Sequence, residues 1–308
     1  MLSLKQLAVF ASVARHGHLG GAASDLFLSK GAVSQALAEL ERRLGTPLFD
    51  RVHPRLKLND QGRQLQPMAE ALLSQAWDIE HLFDTGGEPT GALHVGASQT
   101  IGNYLLPVLL GYLPQVQAKV QITNTHHLCD MLMRFELDLA LIEGESHHPD
   151  LVMTPWLMDE MVVVAPPDHP LALQTAQTGD ALDVAMLNDC HWVIREPYSG
   201  SREQFDHWIA PELTAIGPTM ELNTLEAVMT SVVHGLGLTF ISRLAIHDRL
   251  ALGHLVVLPL THRYPRQLSL IWHKQKYHGA LLRRFVAFCQ QQATLLSTAD
   301  VSLDKASD

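Results

Sequence analysis

The first sixty residues place three apolar repeats of helical period ahead of a short, alternating basic segment, an order that few folds accommodate. Leu4, Leu7, Phe10 and Val13 recur every three residues, one face of a packed helix from Leu4 to Arg15 that Gly17 and the polar stretch His16 to His18 bring to an end. A second, short helix is expected from about Gly20 to Phe27, where Ala22-Ala23 lets two backbones approach and Leu26 supplies the core contact. Ser29 stands where an N-cap belongs, and Val33, Leu37, Leu40 and Leu44 line a third helix from Lys30 to Leu44, closed by Gly45. Two helices joined by a tight Leu-Ser turn make a helix-turn-helix, whose second helix offers its N-terminal residues to a DNA major groove. Residues 47–58 then alternate around a Pro54-Arg55 turn and carry Arg51, Arg55 and Lys57. A two-stranded wing laid along a phosphate backbone has this composition.

Charge supports the partition that this pattern suggests. The chain has 308 residues, 47% of them hydrophobic and 18% charged, enough for two domains with cores of their own. Its net charge of −10 excludes a uniformly basic DNA packer. Residues 1–58, however, hold eight basic side chains against four acidic ones, so the remaining 250 residues carry −14. A small module that approaches an anionic polymer is joined to a larger acidic domain that does not. Cys129, Cys190 and Cys289 are odd in number and widely spaced, without a C-x-x-C pair. This usage suits a cytoplasmic protein with buried or half-buried thiols. Lys5 and the apolar run Leu7 to Ala14 mimic a short signal peptide, but the run stops at Arg15 and its three-residue recurrence favours a packed helix. No other apolar stretch is long enough to span a bilayer, so no membrane partner is expected.

The runs Phe10-Ala-Ser-Val-Ala-Arg-His-Gly17, Ala22-Ala-Ser-Asp-Leu26, Ser29-Lys-Gly-Ala-Val-Ser34, Leu40-Glu-Arg-Arg-Leu-Gly-Thr-Pro-Leu-Phe-Asp-Arg51 and Leu58-Asn-Asp-Gln-Gly62 resemble the LysR-type transcriptional regulators. The likeness is ordered, dense and free of gaps over about sixty residues. It implies an α/β chain with three parts: an N-terminal winged helix-turn-helix (1–58), a linker and dimerisation helix with hinge (59–90), and a two-lobed, periplasmic-binding-protein-like effector-binding domain (91–308). It further implies a ligand-responsive dimer of dimers, a homotetramer, on double-stranded operator DNA, with RNA polymerase as a further partner. The family usually opens its recognition helix with Ser-Gln-Pro-Ala-Val-Ser, whereas this chain has Ser29-Lys30-Gly31-Ala32-Val33-Ser34. Lys30 offers donors and a charge, suited to guanine acceptors or to phosphate, while the Gln35 amide suits adenine and Ser34 is short enough for close approach. Arg51, Arg55 and Lys57 are assigned to phosphates.

Beyond the wing, Leu65, Ala69, Leu72, Ala76, Ile79 and Phe83 are spaced alternately by four and three along a helix expected from Asp60 to Phe83, a coiled-coil seam of nearly three heptads interrupted only by Pro67. The stripe packs partly on the wing, and the family resemblance adds antiparallel pairing with a second subunit. Residues 86–91 have a hinge composition. After Gly91 strands and helices alternate: strands at 93–97, 119–123, 137–142 and 161–165, then 192–195, 220–223, 238–241 and 267–272, with helices at 102–112, 127–135, 225–234 and 277–290 and another starting at Arg202. Such alternation predicts open α/β sheets with ligands at strand carboxyl ends. One lobe is expected to comprise about 91–164 with 267–292, the other 165–266.

Three strand-to-helix junctions define the expected cleft: Ser98-Gln99-Thr100, Ser199-Gly200-Ser201-Arg202 and Asn223-Thr224. Converging amides and hydroxyls at such junctions can cage a small oxyanion, with Arg202 adding a charge or pairing instead with Glu203 or Glu226; each hydroxyl also serves as an ordinary N-cap. The strings Thr100-Ile-Gly-Asn-Tyr-Leu-Leu-Pro107, Ile142-Glu-Gly144 and Ser199-Gly-Ser-Arg-Glu203 resemble the branch of the family that responds to sulfite and controls sulfur reduction. Glu143 would repel a divalent anion there but could accept a hydrogen bond from a protonated one such as bisulfite. His126, His127 and Cys129, or His147 and His148, have no spacing that closes a tetrahedral site, so neither metal nor cofactor is expected. No G-x-S-x-G, H-E-x-x-H or P-loop occurs, and no enzyme activity is expected. The alternative is a solute-binding or catalytic α/β domain for which the N-terminal module serves only assembly.

Overall fold

The computed structural model describes residues 2–52, 55–81, 91–114, 116–144, 146 and 148–303, with backbone alone at 51, 52, 91 and 294–303. The N-terminal module comprises α1 (Leu4–His16), α2 (Leu19–Asp25), α3 (Lys30–Leu44), β1 (Phe49–Val52) and β2 (Arg55–Leu58). Ser3 and Gln6 close a reciprocal capping box on α1, and Gly17 ends it at φ +69°. Ser29 Oγ accepts the Ala32 amide and starts α3, which Gly45 stops at φ +72°. Leu7, Phe10, Val13, Ala22, Val33, Leu37 and Leu40 form the core of this module with Leu48, Phe49 and Ala69. The turn between the wing strands, including Pro54, lies outside the described residues.

Asn59 caps α4 (Asp60–Glu80), the linker helix. Gly62 is required beneath the wing, since a Cβ there would stand 2.2 Å from the Leu48 carbonyl oxygen. Of the expected seam, Leu65 and Ala69 pack on the winged module, while Leu72 and Ile79 are exposed at 49% and 69%. The stripe therefore changes allegiance halfway along. Phe83 and residues 82–90 lie outside the described residues. The helix is tied to the second domain at both ends, by Gln66 Nε2 to the Arg134 carbonyl at 2.7 Å and by Asp78 to the Tyr277 hydroxyl at 3.2 Å.

The second domain continues with β3 (Gly91–Ala97), a π-helical stretch at 101–105, α5 (Leu106–Gly111), β4 (Val116–Ile122), α6 (Thr125–Met133), β5 (Leu139–Glu143), β6 (Leu151–Ala165) and α7 (Pro170–Thr178). After these come β7 (Trp192–Arg195), α8 (Gly200–Gln204), β8 (Thr219–Leu222), α9 (Leu225–Val233), β9 (Thr239–Ser242), α10 (Arg243–Ala251), β10 (Val256–Leu258), β11 (Tyr264–His273) and α11 (Ala280–Leu303). Two parallel pairs, β3 with β4 and with β5, merge through antiparallel β11 and β6 into one mixed sheet of order β10-β6-β11-β5-β3-β4, with β9 also on β6. β7 and β8 form a separate parallel pair.

Two strands thus cross from lobe to lobe and fuse sheets that sequence reasoning kept apart. β6 begins ten residues before the expected 161, and Pro155 explains why its first half was invisible: a proline argues against a strand, yet here it faces Ser269 where the register shifts. The lobes also divide earlier than at 164/165, because Met161 and Val163 already pack with Trp192 and Phe240 in the second lobe. Leu268, Leu270 and Phe285 return to the first lobe's core with Leu93, Val95 and Leu141, the return expected of the last strand and helix. α11 begins at Ala280 rather than 277 and reaches Leu303.

Candidate functional site

The recognition helix presents Ser29, Lys30, Ser34 and Gln35 as exposed residues along its first two turns. β2 alternates, so Arg55 and Lys57 face solvent while Leu56 and Leu58 turn toward the module's core. Arg51 pairs with Leu56 across the wing; its side chain lies outside the described residues. Two other cations of the module share one carboxylate. Glu39 accepts from Arg42 at 2.8 and 2.7 Å and from Arg43 at 2.7 Å, and these hydrogen bonds hold the Glu39 carboxyl down at about 2. Among the described residues no ion pair engages Lys30, Arg55 or Lys57, which leaves them available to an anionic surface.

In the second domain two of the three predicted junctions meet at Glu143, the last residue of β5. Thr100 donates its amide to Glu143 Oε1 at 3.1 Å and Ser201 its hydroxyl to Oε2 at 3.3 Å, so a residue from each lobe reaches one carboxylate. Thr125 Oγ1 adds a bond to the Glu143 carbonyl at 2.9 Å. Gly200 is what lets α8 come so close, because a Cβ there would lie 2.7 Å from that carbonyl oxygen. Gln99 spans the lobes: its Nε2 donates to the Asn223 carbonyl at 2.8 Å and its Oε1 accepts the Leu225 amide at 2.9 Å.

Other predicted residues are otherwise engaged. Thr224 caps α9 through the Ala227 amide at 3.2 Å. Ser199 is buried at the N-cap position of α8 without a side-chain capping bond. Arg202 is held by Asp206 at 2.9 Å, the Arg195 carbonyl at 3.1 Å and Glu221 at 3.3 Å. It supplies no free charge to the cleft.

The cation at the centre is one that sequence reasoning missed. Arg266 on β11 is almost wholly buried and bonded to both Glu143 and Asp159, with Nε 3.1 Å from Asp159 Oδ2 and Nη1 3.4 Å from Ser201 Oγ. Ser242 donates to Asp159 Oδ1 at 3.0 Å. The available signal was charge inside long, largely apolar strands, Asp159-Glu160 within β6 and Arg266 within β11; buried charges of this kind need partners. Burial pushes Glu143 up, but Arg266, Ser98 and Thr100 outweigh it and leave the carboxyl below its ordinary range. At Asp159 burial wins over Arg266 and Ser242, and the carboxyl is raised.

One guanidinium between two carboxylates leaves the ionised centre with a net charge of −1. The hydroxyls of Ser98 and Thr100 are buried beside it and have no hydrogen-bond partner in the chain, although both lie near enough to Glu143 to favour its charged form. Buried polar atoms without partners are rare, and an ordered water or a ligand between the lobes can satisfy them. His126 faces Tyr198 at 5.0 Å and Asp130 at 3.9 Å, and Cys129 donates to Ser146 at 3.5 Å. His147 lies outside the described residues, which contain no group of three potential metal ligands.

A winged helix-turn-helix with unpaired cations on its reading face, joined by a long helix to a two-lobed domain with a polar interior, defines a DNA-binding regulator with a small-molecule sensor. Residues 4–63 match the profile of the bacterial regulatory helix-turn-helix protein, lysR family, and residues 86–294 that of the LysR substrate binding domain. The chain is 39% identical over 297 residues to the HTH-type transcriptional regulator YeiE of Escherichia coli K12, covering 94% of this chain and 97% of that protein. It is 31% identical over 296 residues to a probable RuBisCO transcriptional regulator of Cyanophora paradoxa, covering 92% and 90%. A full-length OxyR variant of Pseudomonas aeruginosa shares its fold with a TM-score of 0.75 and 25% identity over 96% of this chain and 95% of that one. The chain belongs to the LysR family of DNA-binding transcriptional regulators. That family is one of regulators and not of enzymes, which removes the catalytic alternative. No helix among the described residues is long and apolar enough to cross a membrane.

Proposed function

We propose that this regulator works in the cytoplasm as a dimer of dimers whose operator binding or bending is switched by a small anion held between the lobes. The observation that carries the reading is the pair of buried, unpartnered hydroxyls at Ser98 and Thr100, set against a carboxylate that residues of both lobes hold. Their neighbours Gln99, Ser199, Gly200, Ser201, Asn223 and Thr224 complete the cleft, and Arg202 stands at its edge. Because Glu143 is ionised and Arg266 is already neutralised, the ligand must bring a proton for Glu143 while accepting from the two hydroxyls. A monoprotonated oxyanion meets both demands, and bisulfite is one such candidate. A ligand that touches both lobes favours one relative position of them, and the shift reaches the DNA-binding module through the linker helix.

On DNA, Ser34 and Gln35 read base edges, Ser29 fixes the helix start, and Arg51, Arg55 and Lys57 meet phosphates. The exposed half of α4, with Leu72, Trp77 and Ile79 at 49%, 43% and 69%, is the surface for the second subunit. RNA polymerase is the remaining partner of a DNA-bound regulator. The test is operator binding by full-length protein with and without sulfite. Ser98→Ala with Ser201→Ala should remove the response to sulfite; if these changes instead abolish DNA binding itself, the cleft assignment is wrong.

A further inference from the structure

We propose that His18 and Lys30 form a clamp for one DNA backbone phosphate, so that Lys30 contributes affinity and does not read a base. The inference rests on DNA binding by the winged module. A cavity of about 520 Å³ opens between α2, the recognition helix and the wing, with His18, Gly20, Lys30, Ser34, Glu41 and Arg55 in its wall. His18 occupies the N-cap of α2, and its Nδ1 accepts the Gly21 amide at 2.8 Å. A ring nitrogen that accepts an amide hydrogen carries no proton, so the neutral ring holds its proton on Nε2 as a donor. Serine or asparagine would cap the helix as well, but the imidazole carries its donor on the far side of the ring from the capping nitrogen.

Lys30 is the first residue of α3, yet its chain folds back over α2. A Cβ at Gly20 would lie 3.1 Å from Lys30 Cε, 3.6 Å from its Nζ and 3.4 Å from His18 Nδ1. Ammonium and imidazole therefore flank the same glycine. The cavity's carboxylate, Glu41, is engaged by the Leu48 amide at 2.8 Å. A charged donor beside a neutral one recognises an oxyanion. A lysine drawn back against α2 meets the rim of the groove, where phosphates run, and Ser34 and Gln35 are left for the bases.

The test titrates full-length protein, over a range of salt, with a duplex it selects from a random pool and with an unrelated duplex of the same length. Lys30→Gln should weaken both duplexes by the same factor and lower the slope of log K against log salt by about 1, the signature of one phosphate contact. His18→Ser keeps a capping oxygen and loses a neutral donor, so both affinities fall several-fold while the slope stays. If Lys30→Gln weakens the selected duplex alone with its slope intact, Lys30 reads a base and the clamp is wrong. If it changes neither affinity nor slope, the clamp is equally wrong, while steep salt-dependent binding by the wild type keeps the DNA-binding reading in place. Wild-type protein that binds neither duplex overturns both.

Discussion

Replacing Arg266 by Met tests the charge arrangement at the centre of the cleft. The side chains of Arg266, Glu143 and Asp159 are 1%, 4% and 1% exposed, so the change leaves two carboxylates in a space that water does not reach. Breaking a buried pair by removing one partner costs about 3–5 kcal/mol, a large share of the roughly 5–15 kcal/mol that holds an ordinary domain together. Both carboxyls, deprived of their cation, should then have folded pKa values above their unfolded ones. The stability of the variant is therefore greatest below the unfolded values and is lost as pH rises through the folded ones. Urea unfolding followed by the fluorescence of Trp156, Trp192 and Trp272 should show a deficit against wild type that is several-fold larger near pH ~8 than near pH ~5. Adding Glu143→Gln and Asp159→Asn should recover most of it. A deficit under about 1 kcal/mol at the higher pH, or one that does not change with pH, would refute the assignment of this centre as a buried ionic triad.

Three further outcomes follow from the geometry. Gly62→Ala forces a methyl group against the Leu48 carbonyl and should destabilise the winged module by about 3 kcal/mol, the upper end for overpacking; an unchanged melting temperature would contradict the packing of α4 beneath the wing. Phe27 is 95% exposed and left-handed at φ +54°, so Phe27→Asn should stabilise by about 1 kcal/mol in thermal melts, and a loss would show that the ring has a partner in solution. Burial pushes Asp138 up, but Lys276 at 2.7 Å and His94 outweigh it and hold the carboxyl below its usual range. A depressed carboxyl contributes stability that is present above its unfolded pKa and lost as pH falls through the folded one, so Lys276→Met should destabilise at neutral pH and flatten the acid limb below about pH 4. A parallel acid limb in both proteins would rule out the pair as a contributor.

The winged module was almost fully legible because its signals are local. Ser29, Gly17 and Gly45 mark helix ends by capping chemistry, and the period of the buried residues fixes which face turns inward. The wing strands, α3 and the start of α4 therefore fall where the sequence puts them. The effector domain was legible in its central strands, where buried apolar runs at Leu139–Glu143 and Trp192–Arg195 leave little choice. It was not legible where long-range pairing decides. The first half of β6 is half-exposed and contains a proline, and only its pairing with β11 makes it a strand. α10 offers Ala245 and Ile246 as its buried residues, too few for a periodic signal. The cleft shows the same limit: Ser98, Thr100, Glu143 and Ser201 were found from their places after strands, but Arg266 and Asp159 lie 107 residues apart. Only the crossing of β6 and β11 brings them together.

The central claim is that the two orphaned hydroxyls hold an effector, and thermal melting of the full-length protein tests it most directly. The panel is millimolar sulfite, sulfate, thiosulfate, phosphate and small carboxylates, on wild type and on Ser98→Ala with Thr100→Val. A ligand that binds the folded state at 100 times its Kd adds about 2.7 kcal/mol, so wild type should melt higher with sulfite, and more so at lower pH where bisulfite is abundant, while the double variant should not respond. A rise with organic acids alone would remove sulfite and keep the cleft. An equal rise in wild type and variant would contradict the claim, because the ligand would then bind elsewhere.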